Sequence, residues 1–154
     1  GSPSGVAAAA IHAKELGAKK VMPLQVSGAF HTPFMTAARD RLRLAIASAQ
    51  PRDTEVAVIS NVDALAHSSG EEWASLLSAQ LSSPVRWKHS LLTMAELGVT
   101  GFVELGPGGV LTGMAKRTVD DARTISVATP DELDKLIDCI SLKPTEASIS
   151  ETRC

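Results

Sequence analysis

Residues 26–35, Val-Ser-Gly-Ala-Phe-His-Thr-Pro-Phe-Met, place an imidazole between a flat aromatic ring and a threonine–proline pair. Of the four histidines in the chain, His31 is the one whose neighbours suit proton transfer. The run 20–26 reads as a short strand. Thr32-Pro33 reads as a helix start, with threonine at the N-cap and proline at the first helical position. His31 is therefore expected at a strand–turn–helix junction, where α/β proteins place their chemistry. There the positive end of a helix dipole weighs against an imidazolium, and Phe30 and Pro33 would shield the ring from water. A neutral, partly dry imidazole suits general base work. The same residues also fit a plainer role, a histidine whose nitrogens are merely satisfied by loop carbonyls.

A base needs an acceptor that orients its ring. Trp73, Leu76, Leu77 and Gln80 share one face of a helix expected over 70–81. Gln80 is a polar residue on that apolar stripe, in the last turn, where carbonyls lack helical partners. Either its amide or its backbone carbonyl could accept a hydrogen bond from a histidine N–H; the alternative is a side chain turned to solvent. The nucleophile is harder to find. No G-x-S-x-G occurs in these 154 residues. Ser27 lies four residues before His31 on an extended segment pointing elsewhere, and Ser60 ends a strand without an elbow. A thiol hydrolase would need Cys139 beside His31.

These side chains require a scaffold. Residues 4–16 are alanine-rich and helix-favouring, with Gly17 as a stop. A helix from Thr32 runs to about Ala49, with Phe34, Ala38, Leu42, Ala45 and Ile46 on one face and Gln50-Pro51 at its end. Residues 55–60 form a compact β-rich run. Ser69-Gly-Glu-Glu72 and Thr129-Pro-Asp-Glu132 are capping boxes. Between them lie a helix from Trp87 to Gly98, a strand over 101–105, a GPGG turn, a short helix and a strand over 124–128. Strands alternating with helices predict an α/β fold with a mostly parallel sheet of three or four strands.

Bulk properties set limits. An apolar content of 44%, a charged content of 21% and a net charge of −2 describe a soluble domain with no electrostatic case for nucleic acid. The apolar runs fall short of the roughly 20 residues of a membrane span, and no leader pattern precedes the first helix. Cys139 and Cys154 offer neither a disulfide framework nor metal spacing, which fits the reducing cytoplasm. His12, His67 and His89 show no ligand spacing. GPGG matches neither the dinucleotide fingerprint nor the P-loop.

Four blocks carry a resemblance. VSGAFHTPFM, SNVDA (60–64), AQLSSPVRW (79–87) and FVELGPGGVLTGMAKR (102–117) resemble, in order and at family spacing, the signature blocks of the malonyl-CoA:acyl carrier protein transacylase family. The resemblance covers about residues 1–140. It implies a serine that takes malonyl from coenzyme A as an ester and passes it to the phosphopantetheine thiol of acyl carrier protein, in bacterial fatty acid synthesis. By that resemblance His31 is the general base, Gln80 supplies the carbonyl that holds its ring, and Phe30 sets acyl selectivity by crowding an α-methyl substituent. The implied fold is a partial acyltransferase fold, incomplete at the N-terminus. Residues 1–26 would end a small ferredoxin-like subdomain, 27–140 would form the C-terminal part of the large α/β subdomain, and 141–154 a disordered tail.

The family's nucleophile elbow, its oxyanion-hole glutamine and its carboxylate-gripping arginine have no counterpart here. The implied partners are malonyl-CoA, acyl carrier protein and the remaining N-terminal half of the enzyme, with no metal or redox cofactor. The chain alone is expected to be inactive. Arg86 and Lys88 beside Trp87, and the pair Lys116-Arg117, are small basic spots that either meet acidic carrier protein or coenzyme A phosphates, or lie on solvated surface. The competing class is a non-catalytic carrier-protein-binding module.

Overall fold

The computed structural model describes residues 1–141, without the side chains of 139–141. Residues 142–154 of the expected tail, with Cys154, and the Cys139 thiol fall outside the described residues. The chain divides into two compact units, Gly1–Arg86 and a second from Trp87 onward.

In the first unit, the alanine-rich run forms α1 (Pro3–Glu15), capped by Ser2, whose hydroxyl accepts the Gly5 N–H at 3.2 Å. Residues 20–26 do not form the expected strand. A β-prone run becomes a strand only when its N–H and C=O groups pair with a neighbour, and no described segment pairs with this one. A 3₁₀ turn at Pro33–Met35 leads into α2 (Thr36–Ala49), so the α-helix opens one turn later than expected. Leu42 and Ile46 are half-buried, whereas Phe34 is exposed.

The β-rich run at 55–60 narrows to β1 (Val58–Ile59), which pairs antiparallel with β2 (Ala66–His67). The connection turns back at once. Ser60 N–H donates to Leu65 O at 3.0 Å, and Asp63 accepts the Leu65 N–H at the same distance.

Helix α3 (Gly70–Gln80) is anchored at its first turn, where Ser69 Oγ accepts the Glu71 N–H and the Asp53 carboxylate accepts the Gly70 N–H at 2.7 Å. Gly70 passes so close to residues 51 and 52 that a Cβ there would lie 2.6 Å from Pro51 O and 2.9 Å from the Arg52 carbonyl carbon. Only glycine permits that approach. Trp73 is buried beside it, its indole N–H donating to Arg52 O at 3.3 Å. The buried face of α3 runs through Trp73 and Ser78; Leu77, expected on that face, is 49% exposed. Helix α2 packs against α3.

The second unit follows its local signals closely. Helix α4 (Trp87–Glu96) ends at Gly98, whose φ of +87° lets the Val99 N–H reach back to Met94 O at 3.0 Å. Strand β3 (Gly101–Leu105), helix α5 (Val110–Thr118) and strand β4 (Arg123–Val127) form a β–α–β unit. The strands are parallel, from Gly101 opposite Arg123 to Leu105 opposite Val127.

The Glu104 carboxylate accepts both the N–H and the hydroxyl of Thr112, at 2.9 and 3.0 Å. The Thr112 N–H, against opposing desolvation, holds that carboxyl below its ordinary range. Helix α6 (Pro130–Ser141) begins with the expected capping box: Glu132 accepts the N–H groups of Ala128 and Thr129, and Thr129 Oγ1 accepts the Glu132 N–H. Leu91, Ser90 and Ala115 are the most deeply buried residues of this unit.

The α/β class stands, with four strands placed as one antiparallel and one parallel pair among the described residues.

Candidate active site

The end of a helix leaves carbonyls without helical partners, and the last residue of α3 and its C-cap, Leu81, offer one each to a single residue. His31 N–H donates to Leu81 O at 3.0 Å, and His31 Nδ1 lies 2.9 Å from Gln80 O. A carbonyl can only accept, so Nδ1 carries the ring proton. In the neutral ring that leaves Nε2 with a bare lone pair.

Sequence left two acceptors open at residue 80, and the backbone carbonyl is the one engaged. The Gln80 amide nitrogen donates instead to Ser83 O at 3.1 Å and Pro84 O at 3.4 Å. It also lies 3.4 Å from His31 Nδ1, but two protonated nitrogens cannot bond each other, and the shorter contact to the carbonyl decides the tautomer. Gln80 Oε1 is buried without a hydrogen-bond partner among the described residues.

His31 reaches this position with a left-handed backbone, φ +62°, which costs a non-glycine residue on the order of 1–2 kcal/mol. Its expected seat at the end of a strand does not form, since residues 20–26 pair with no other strand among the described residues. The expected shielding is absent too: Phe30, His31 and Pro33 are all exposed. The Phe30 ring lies back over Gly28, where an added Cβ would stand 3.1 Å from Cε2. No hydrogen bond among the described residues joins His31 to Ser27 or Ser60.

A second histidine has partners that sequence spacing did not suggest. His67, expected in a loop, ends β2, with Nδ1 3.0 Å from Glu72 Oε1 and Nε2 3.0 Å from Asp63 Oδ2. The Trp73 ring stands edge-on to it, with centroids 6.3 Å apart. Glu72 was expected to complete a capping box with Ser69; its carboxylate faces the imidazole instead. Two carboxylates on two ring nitrogens call for a doubly protonated ring. Desolvation pulls the His67 pKa down, but the hydrogen bonds and charges of Glu72 and Asp63 outweigh it and raise the value above 6.5.

A raised folded-state pKa gives stability that is fully present below the unfolded value and lost as pH climbs through the folded one. The wild-type chain is therefore expected to lose stability relative to His67→Gln as pH rises from about 6.5, read from urea midpoints of both proteins. A difference that stays flat with pH, or grows, would contradict the assignment.

Among the described residues no three His, Cys, Asp or Glu side chains are grouped to hold a metal ion. His12 pairs with Glu15, at 3.2 Å on an exposed helix surface, and His89 is exposed. Arg86, Lys88, Lys116 and Arg117 are exposed as well. No helix among the described residues is long and apolar enough to cross a membrane.

The acyl transferase domain family matches residues 7–131, and the chain belongs to that family. Within it, the similarity is to malonyl CoA-acyl carrier protein transacylases. The enzyme of that name from Bacillus subtilis (strain 168) is 39% identical over 137 residues, 89% of this chain and 43% of its own length. The crystal structure of acyl-carrier-protein-S-malonyltransferase from Bartonella henselae superposes with a TM-score of 0.83 at 30% identity, covering 90% of this chain and 44% of that one. A malonyl-transacylase solved in complex with its type II PKS acyl-carrier protein gives 0.83 at 32% identity, covering 89% and 44%. The chain thus spans a little under half the length of these relatives, and its architecture is a partial acyltransferase fold.

Proposed function

We propose that this chain carries the general base of a malonyl-CoA:acyl carrier protein transacylase. The observation that supports the reading is the 2.9 Å contact from His31 Nδ1 to Gln80 O, which leaves Nε2 free to take a proton. The nucleophile is a serine supplied from outside these residues. Nε2 takes the serine proton as the oxygen attacks the malonyl thioester, and the resulting imidazolium returns a proton to the departing coenzyme A thiol. In the second half, Nε2 takes the proton of the carrier's phosphopantetheine thiol, whose sulfur attacks the malonyl ester, and the imidazolium returns that proton to the serine oxygen as the ester C–O bond breaks. Gln80 O holds the ring throughout and stabilises its charged form. Phe30 discriminates against an α-methyl substituent on the acyl group.

Malonyl-CoA and acyl carrier protein are the partners in this reading, and fatty acid biosynthesis in the cytoplasm is its setting. The solved complex between a related malonyl-transacylase and its carrier protein supports the second partner. No step requires a metal or redox cofactor. Residues 1–26 belong to a small ferredoxin-like subdomain and 27–140 to the large one, completed by the N-terminal half of the enzyme.

The test is direct. Incubated alone with malonyl-CoA and weighed intact, the chain is expected to show no malonyl adduct. A stable adduct on any serine would refute the assignment of the nucleophile to a separate segment. Titration with acyl carrier protein, followed by Trp73 and Trp87 fluorescence, would in addition distinguish a docking chain from an inert one.

A further inference from the structure

A non-glycine residue stays in the left-handed region only when its surroundings fix it there, and for His31 the fixing groups can be named. On one side are the two carbonyls of residues 80 and 81. On the other is Thr32, which stands in extended backbone with φ −134° and ψ 163°. Its position before Pro33 suggests an N-cap, yet its side chain makes no cap bond. The hydroxyl points backward and donates to Ala29 O at 2.7 Å in a part-buried position. That bond spans Phe30 and His31 and closes the loop that contains them. The Thr32 carbonyl meanwhile accepts the Met35 N–H at 3.0 Å and so begins the turn into α2. Thr32 therefore ties the loop to the helix on either side of the strained residue.

We propose that Thr32 is a positioning residue for the base. Its hydroxyl keeps residue 31 in the one backbone conformation from which the ring nitrogen meets Gln80 O while the N–H meets Leu81 O. The functional meaning rests on reading His31 as the base; the geometry does not. Valine has threonine's shape without the donor. Thr32→Val leaves Ala29 O without this partner and lets residue 31 relax to negative φ, carrying the ring off its acceptor. Serine keeps the donor.

The two ring nitrogens of His31 report this without any catalysis. In long-range ¹H–¹⁵N spectra of the full chain at alkaline pH, the wild type is expected to show a protonated Nδ1 and a bare Nε2. Thr32→Val and Thr32→Ala are expected to lower the ratio of the Nδ1–H to the Nε2–H form about fivefold, the effect of one ordinary hydrogen bond. Thr32→Ser is expected to keep the wild-type ratio. An unchanged indole N–H signal from Trp87 shows that the second unit is unaffected. If valine prevents folding, the alanine and serine variants make the same decision. A valine ring with the wild-type ratio, or a serine ring indistinguishable from the donor-less variants, overturns the proposal. If malonyl transfer is disproved by the adduct experiment, the ring ratio still tests the positioning claim, so the two failures are separate.

Discussion

Replacing His31 with alanine is expected to lower malonyl transfer about 10²–10⁴-fold when this chain is joined to the serine-bearing segment of a relative such as the Bacillus subtilis enzyme. The size follows from the proton transfer proposed for Nε2. A serine hydroxyl is a poor nucleophile until a base takes its proton, and the geometry leaves one ring nitrogen protonated on Gln80 O and the other free. On the role proposed for it, in which the ring moves a proton and does not grip the acyl group, the loss should fall on kcat, with KM little changed.

Gln80→Ala supplies the internal comparison. It removes the amide that braces Ser83 O and Pro84 O but keeps the backbone carbonyl that holds the ring. It should cost roughly tenfold or less, because the lost bonds, each of about 1 kcal/mol, brace the turn after α3 and not the reacting atoms. Steady-state rates with malonyl-CoA and holo carrier protein decide both. A His31→Ala enzyme within tenfold of wild type would remove the base from residue 31, and a Gln80→Ala enzyme as poor as His31→Ala would mean that the side chain does the orienting.

The parts of this fold that were legible in sequence are those whose causes are local. The Thr129–Glu132 box, the stop at Gly98 and the start of α5 after the GPGG turn each depend on residues within about one turn of each other, and each forms as read. The misreadings share a different cause. Residues 20–26 have strand composition, but a strand needs a partner, and pairing is not a property of the run itself.

Glu72 sits where a capping box needs it, yet an imidazole five residues back is the stronger partner for its carboxylate. The buried face of α3 runs through Ser78 and leaves Leu77 outside, because what the helix packs against, not periodicity alone, selects the face. At the site, the approach of His31 to Gln80 was legible from the motif blocks. The left-handed backbone and the hydroxyl behind it were not. No propensity assigns φ +62° to a histidine, and a threonine before proline looks the same in sequence whether its hydroxyl caps forward or ties backward.

Leu91→Ala is expected to carry the largest stability cost in the chain, about 2–5 kcal/mol. Leu91 is 1% exposed, the largest side chain so deeply buried among the described residues, and it sits on α4. With Trp87, Phe102 and Ala115 it lines an apolar hollow of about 260 Å³. Truncation removes buried methyl groups and enlarges that hollow, so lost transfer free energy and cavity cost act in the same direction. A domain of this kind has only about 5–15 kcal/mol of net stability, so the change should be visible as a large drop in the urea midpoint with the slope unchanged. Leu97, one residue beyond α4 and 61% exposed, is the control. The same truncation there should stay within about 0.5 kcal/mol. If Leu91→Ala and Leu97→Ala prove equally mild, the second unit is not held together at Leu91, and the packing of α4 described above is wrong.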